Sequence, residues 1–238
     1  MKICVLTTDT PHHTYFVRRI ANEFPKIFVF CEHQLLSQPA ASPCEFEVQR
    51  DDWENNIWFE GQIVPMASLA PTQNVSSVND PQAISQLRTI HPDVILVFGT
   101  GILRAEVLQV QPRNTLNLHG GDPEEYRGLD THLWAIYEKN FVGLVSTLHR
   151  VDRGIDTGEI VERTRLSLKK NMELFQLRAL NTEACVEMSL KALQKIHFSG
   201  DVESVAQRKK GRYFSAMQRN KKDKCPLIFR EHTAGLRS

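Results

Sequence analysis

The chain has 238 residues, 41% hydrophobic and 24% charged, with 29 basic side chains against 28 acidic ones. That length suits one large domain, or one domain with a small appendage, and the balanced charge carries no chain-wide signal for nucleic acid or an anionic membrane. No apolar run approaches the ~20 residues that span a bilayer, and Met1-Lys-Ile-Cys-Val-Leu6 reads as a first strand rather than a secretory signal. The five cysteines are odd in number, scattered and without a Cys-x-x-Cys pair. This points away from a disulfide framework or a zinc site and toward a reducing cytoplasm.

A β-branched run, Lys2 to Thr7, predicts the first strand. Thr10-Pro11 then signals a helix start, and Phe16, Val17 and Ile20 share one face of a helix to about Asn22. Lys26 to Phe30 reads as a second strand. Between Glu32 and Pro71 a Pro/Ser/Gln-rich loop is expected, then a helix from Gln49 to Glu60 with Trp53, Ile57 and Trp58 inward. A short strand, Val75 to Val78, leads to Asn79-Asp80-Pro81, a helix start, and that helix should end near His91-Pro92.

Val94 to Phe98 is a continuous apolar run of the kind found in buried parallel strands. Gly99-Thr-Gly101 follows, then a helix from about Leu103 and a strand through Thr115-Leu-Asn117-Leu-His119. After a Gly/Pro loop come a helix from Asp130 to Glu138, strands at Leu144–Val151 and Glu159–Leu168, and a long amphipathic helix from Met172 to Phe198. Alternating strands and helices over the first 140 residues argue for an α/β fold, a doubly wound and mostly parallel sheet. Residues 1–200 are taken as the catalytic domain and 201–238 as a basic C-terminal extension. From Arg208 to Ser238 there are ten Lys/Arg against two acids. The plain reading is a solvated, partly extended tail; the sharper one is an appendage that helps hold a phosphorylated ligand or a partner subunit.

Asn117 and His119 lie two apart in a strand, so pleating sends both to one face. Asp156 follows in the glycine-flanked loop Asp152-Arg-Gly-Ile-Asp156-Thr-Gly158. An amide donor, a base and an orienting charge are what acyl transfer to an amine requires. An Asn-x-His at a strand end is, by itself, more often structural. No His/Cys/Asp/Glu cluster has metal-ligand spacing. His132, His149 and the five cysteines are read as structural.

With those residues in place, the chain resembles the formyltransferase family that uses N10-formyltetrahydrofolate. That family includes glycinamide ribonucleotide transformylase, methionyl-tRNA formyltransferase and the sugar-nucleotide N-formyltransferases. The resemblance runs collinearly from Pro92-Asp-Val-Ile-Leu-Val97 through Gly101-Ile-Leu103, Asn117-Leu-His119, Tyr126-Arg-Gly128 and His132-Leu-Trp134. It continues through Thr147-Leu-His149 to Asp152–Ile160. Gly120-Gly121, with Gly128-Leu-Asp-Thr-His-Leu-Trp134, looks most like the sugar-nucleotide branch, in particular enzymes acting on GDP-perosamine. Two departures stand out: most relatives follow the histidine with a Leu-Leu-Pro stretch, where this chain has Gly120-Gly-Asp-Pro-Glu-Glu125, and Thr8 to Thr14 lacks a glycine-rich phosphate loop.

The resemblance implies a formyltransferase Rossmann-like core with a small C-terminal appendage and a cytoplasmic enzyme without a metal. It makes Asn117, His119 and Asp156 catalytic. It places the pterin of N10-formyltetrahydrofolate against Gly101, Ile102, Leu103, Val151 and Asp152. It gives an amino-dideoxy sugar nucleotide, GDP-perosamine, as the substrate, in lipopolysaccharide O-antigen synthesis. His12, His13, Tyr15, Gly120, Gly121, Tyr126 and Arg127 are the expected substrate contacts, with Tyr15 stacking on a base. Transformylation of glycinamide ribonucleotide or another small amine, a silent folate- or nucleotide-binding protein, and a hydrolase remain open. The tRNA-binding domain of methionyl-tRNA formyltransferase needs roughly 100 residues after the core, more than follow Phe198, so no nucleic-acid partner and no membrane insertion are expected. A homodimer is compatible with the sequence.

Overall fold

In the computed structural model, residues 1–33 and 43–237 are described. Most of the Pro/Ser/Gln-rich loop expected after Glu32 lies outside the described residues. The frame is a seven-stranded sheet with strand order β3-β2-β1-β4-β5-β7-β8, where β1 is Ile3–Thr7, β2 Ile27–Glu32, β3 Thr72–Val75, β4 Val94–Phe98, β5 Thr115–His119, β7 Val145–Arg150 and β8 Ile160–Arg165. Every residue of β1 and β4 is buried, as the unbroken apolar runs require of central strands covered on both faces. The first five strands are parallel; β7 runs antiparallel to β5, and β8 to β7.

Helices cover both faces. On one, α1 (Pro11–Glu23) packs Phe16, Val17 and Ile20 with Val5 and Leu96 and with Cys185, Val186 and Leu193 of α6 (Leu177–Ser199). On the other, Ile84 and Leu87 of α3 (Pro81–Ile90) and Val107 of α4 (Ala105–Leu108) meet Leu6 and Ile95. From β1 the sheet grows through β2 and β3 to one side and through β4 and β5 to the other. The carboxyl ends of β1 and β4 therefore flank a topological switch point, where such sheets leave a crevice.

Several expectations are corrected. The helix α2 (Glu45–Phe59) starts four residues early and buries Phe46, Glu54 and Phe59, while Ile57 is 47% exposed. The inward face turns to Glu54 because Arg178 of α6 meets its carboxylate, Nε to Oε1 at 2.8 Å. The third strand ends at Val75; Val78 instead donates its N–H to the buried Glu32 carboxylate, whose other oxygen accepts from Gly101 N at 2.9 Å. The helix expected from Leu103 is the single turn α4. The long helix begins at Leu177, after a 3-10 turn at Leu174–Gln176.

The basic C-terminal segment is no free tail. It forms β9 (Arg212–Phe214), α7 (Arg219–Lys222) and α8 (Cys225–Ala234), and β9 pairs in parallel with β6 (Tyr126–Gly128). Phe214, Met217, Cys225 and Phe229 are buried in one cluster with Ala135 and Ile136 of α5 (Thr131–Tyr137). Lys222 sits between Glu47 at 3.1 Å and Asp130 at 3.2 Å, so part of the basic charge is spent on internal ion pairs.

Candidate active site

A cleft of about 730 Å³ opens at the switch point. Strand β5 delivers Asn117 and His119 to it, on one face as pleating dictates. The antiparallel neighbour β7 places His149 directly opposite Asn117, beside a register shift against β8. Asp156 comes from the loop after β7 with φ of +52°, a left-handed conformation that non-glycine residues rarely adopt.

The four side chains form one cluster, with Asn117 hydrogen-bonded to His149 and both imidazoles facing Asp156. His119 Nε2 lies 2.8 Å from the Tyr126 carbonyl, which can only accept, so the proton belongs on Nε2 and the lone pair on Nδ1. That Nδ1 faces Asp156 Oδ2 at 3.6 Å. His149 Nδ1 donates to the Arg150 carbonyl at 2.7 Å, leaving its Nε2 to accept from Asn117 Nδ2 at 3.0 Å. His149 Nε2 is also 3.5 Å from Asp156 Oδ1, and Gly128 N donates to Oδ2 at 2.8 Å. The carboxylate is thus shared by two imidazoles and a backbone amide.

Burial pushes the Asp156 carboxyl up, but the His149 contact, the His119 charge and the Gly128 N–H together outweigh it and hold it down at about 2. Burial pulls His119 below its ordinary value against the opposing attraction of Asp156, so the ring is neutral and its Nδ1 lone pair stands ready for a proton. Asn117 keeps its second N–H for an oxygen in the cleft. The set can stabilise an oxyanion, accept a proton at Nδ1 and compensate the resulting imidazolium.

The remaining expected residues divide into two groups. Gly101, Ile102, Leu103, Val151, Asp152, His12, His13 and Gly120 line the cleft. Ile102 is 68% exposed there, while Asp152 Oδ1 ties its own loop by accepting from Gly154 N and Thr157 Oγ1. Tyr15 lies outside: its ring stacks on Trp58 at 4.2 Å and its hydroxyl donates to Glu183, so it is not placed to stack on a base. Tyr126 and Arg127 are buried and are not among the residues that line the cleft. The Tyr126 hydroxyl donates to Glu138, and Arg127 donates to the carbonyls of Gly211 and Ile155. Gly121 backs the catalytic ring, because a Cβ there would lie 2.9 Å from His119 Nε2.

Sequence reasoning missed His149, Arg50, Arg178 and Tyr213, all of which line the cleft. For His149 the signal was its closeness in sequence to the Asp152 loop, while its place opposite Asn117 is set by strand pairing in the fold. The two arginines approach His12 and His13 at the N-terminal end of α1. Burial holds both of those rings neutral, His13 down to about 3.

Methionyl-tRNA formyltransferase of Chlamydia pneumoniae is 33% identical over 149 residues, and that of Acetivibrio thermocellus 31% over 143. These stretches cover 60% and 57% of this chain but only 46% and 45% of those proteins. Thus the chain matches less than half the length of these curated relatives. A sugar N-formyltransferase of a Shewanella species superposes with a TM-score of 0.62 at 14% identity, covering 95% of this chain and 86% of that one. PseJ of Anoxybacillus kamchatkensis, solved with UDP-4,6-dideoxy-4-formamido-L-AltNAc and tetrahydrofolate, superposes with a TM-score of 0.54 at 18% identity, covering 95% and 90%. At such identities the likeness speaks for the fold. Family membership rests on residues 49–193, which match the formyl transferase model across α2, β3 to β8 and most of α6, the elements that carry Asn117, His119, His149 and Asp156; the chain belongs to the formyl transferase family.

Proposed function

We propose that this chain transfers a formyl group from N10-formyltetrahydrofolate to the amino group of a nucleotide-linked amino-dideoxy sugar. The observation that carries the reading is the convergence of Asn117, His119 and Asp156 on one cleft, with the unprotonated Nδ1 of His119 facing the carboxylate.

The residues fit the donor. Ile102 and Leu129 expose aliphatic side chains to the cleft at 68% and 58%, a surface for the faces of a flat heteroaromatic ring, amid backbone groups for its polar edges. When bound, the donor supplies an electrophilic formyl carbon. Asn117, oriented by His149, then directs its free N–H toward the formyl oxygen as charge develops there. His119 accepts the proton of the attacking amine at Nδ1, and Asp156 balances the imidazolium that results. His119 then passes that proton to N10 as the oxyanion collapses and the bond from the formyl carbon to N10 breaks, so that tetrahydrofolate leaves.

For the acceptor, the first-turn N–H groups of α1 and the cleft-lining His12, His13, Arg50 and Arg178 suit a phosphorylated group. The sugar-nucleotide complex of PseJ supports this class. Within it we assign GDP-perosamine, for O-antigen synthesis, on the Gly120-Gly121 resemblance. A second reading, formylation of methionyl-tRNA, draws on the sequence relatives.

The test offers the formyl donor with GDP-, dTDP- and UDP-linked amino sugars, glycinamide ribonucleotide and methionyl-tRNA, and follows tetrahydrofolate release and product mass. Turnover with an amino-sugar nucleotide alone supports the reading. Turnover with methionyl-tRNA alone replaces the acceptor, and turnover with no amine removes the reading.

A further inference from the structure

The segment after α6 crosses the Asp156 loop as a strap. At one end Val205 and Ile160 exchange backbone hydrogen bonds of 2.8 Å. At the other, Arg212–Phe214 joins Tyr126–Gly128 as a parallel strand. Midway, Gln207 Nε2 donates to two carbonyls of the loop, that of Asp156 at 2.9 Å and that of Gly158 at 2.8 Å. The buried Arg127 guanidinium fastens the same two parts together, holding Gly211 of the strap through Nε and Ile155 of the loop through Nη1.

We propose that Gln207 is a positioning residue for the reaction: by holding the carbonyls of Asp156 and Gly158, it fixes the left-handed backbone that aims the carboxylate between His119 and His149. This rests on the formyl-transfer reading above, and it makes the C-terminal segment part of the catalytic machinery.

Three observations carry it. Asp156 has φ of +52°, a conformation that persists only where the surroundings over-determine it. The Gln207 amide uses both of its N–H groups on that turn, one on Asp156 itself, so the restraint acts on the residue whose backbone is unusual. The Asp156 oxygens sit at 3.5 and 3.6 Å from the two imidazoles, and a small rotation of the turn would break both contacts. Gly128 N, which donates to Oδ2, would then hold the carboxylate alone. A residue that merely satisfied surface carbonyls would act on stability and leave the imidazoles undisturbed.

The test uses the full chain with Gln207→Met, which keeps length and packing but removes both donors, beside Gln207→Ala. Steady-state kinetics are paired with imidazole titration by NMR. The titratable groups facing His119 are Asp156, His149, Asp122 and His132, and of these Gln207 holds Asp156. The expected result is a kcat lower by about tenfold to a hundredfold, the range that misplacement on the ångström scale produces, with KM within about threefold. The His119 titration should move to lower pH as the carboxylate's attraction is lost. A kcat within about twofold of wild type together with an unmoved His119 titration would overturn the proposal. If wild type formylates no amine, the formyl-transfer reading fails on its own, and the titration still decides whether Gln207 positions Asp156.

Discussion

His149 Nε2 stands 3.5 Å from Asp156 Oδ1 and 3.0 Å from Asn117 Nδ2, so one imidazole touches both the carboxylate and the amide donor of the site. With Nδ1–H fixed on the Arg150 carbonyl, the ring has one tautomer in its neutral form, and that tautomer sets which way the Asn117 amide faces. Replacing His149 with Phe keeps the volume and removes the acceptor. Turnover should fall about tenfold to a hundredfold, as misorientation of a catalytic group does, while formyl-donor affinity in a binding titration stays near wild type. An unchanged kcat would mean that Asn117 is oriented by something else.

Removing the reacting groups should cost more. Asn117→Ala deletes the oxyanion donor, a loss of about 10²–10³ in kcat. His119→Ala deletes the proton acceptor, a loss of about 10²–10⁴. Both side chains act on charge that exists only in the transition state, so the variants should fold and bind the donor. Single-turnover rates beside thermal melts separate the two effects. A kcat within about threefold of wild type for either would sink the mechanism.

The pH dependence of stability follows from the buried histidines. Burial lowers His12, His13, His119 and His132 in the fold, His132 to about 4. Below about pH 6.5 the unfolded chain therefore binds protons that the folded one refuses. Stability is complete above that pH and falls as pH drops from 6.5 toward 4, with His132 alone accounting for about 3 kcal/mol by its shift. Asp156 acts lower: its carboxyl is depressed to about 2, so its stabilisation is present above pH ~3.9 and is lost from there down toward 2. Urea midpoints from pH 7.5 to 4.5 should decline with a slope that His132→Gln reduces. A flat profile would show that these rings are not held neutral.

Strand and helix periodicity carried most of this fold because the central strands are buried on both faces and their apolar runs are uninterrupted. Val94–Phe98 was legible for that reason, and Thr115–His119 from its alternation of polar and apolar residues. The departures occur where a long-range partner overrides local pattern. Glu54 is buried, against every composition rule, because Arg178, 124 residues away, meets it. Val75–Val78 reads as strand, yet Val78 N is drawn off the edge by Glu32. At the site, the shared face of Asn117 and His119 was readable from their spacing in one strand and Asp156 from its glycine-flanked loop, while the role proposed for each came from the family resemblance. His149, Gln207 and Arg127 gain their meaning from pairings across strands that a linear pattern does not express.

Gly99 shows how closely the cleft floor is packed. Its φ is +90°, and a Cβ there would lie 2.3 Å from His13 Nε2. That ring has little room to give, being set edge-on to Phe98 at 4.7 Å and hydrogen-bonded through Nδ1 to the Thr8 and Thr10 hydroxyls. Gly99→Ala should therefore destabilise the protein by about 1–3 kcal/mol and raise KM for the acceptor. Combining it with His13→Ala should return part of the stability, because the clash is then gone and only the backbone strain remains. Calorimetric melts of the two single variants and the double variant measure that coupling.

The acceptor assignment is tested at the N-terminal end of α1. Its first-turn amides have no side-chain cap and the first turn itself holds no acidic residue, and His12 and His13 line the cleft from that turn. Neutral imidazoles there act as hydrogen-bond donors rather than charges, so they should contribute to ground-state binding of a diphosphate and little to the chemical step. His12→Ala and His13→Ala should then raise KM for GDP-4-amino-4,6-dideoxymannose more than they lower kcat, and leave KM for the formyl donor unchanged. Glycinamide ribonucleotide should be a poor acceptor for wild type and variants alike. A coupled assay that detects product with glycinamide ribonucleotide and none with any amino-sugar nucleotide would overturn the sugar assignment. Formyl transfer at Asn117, His119 and Asp156 would stand, because that chemistry depends on the β5 strand and the Asp156 loop and not on what fills the α1 end of the cleft.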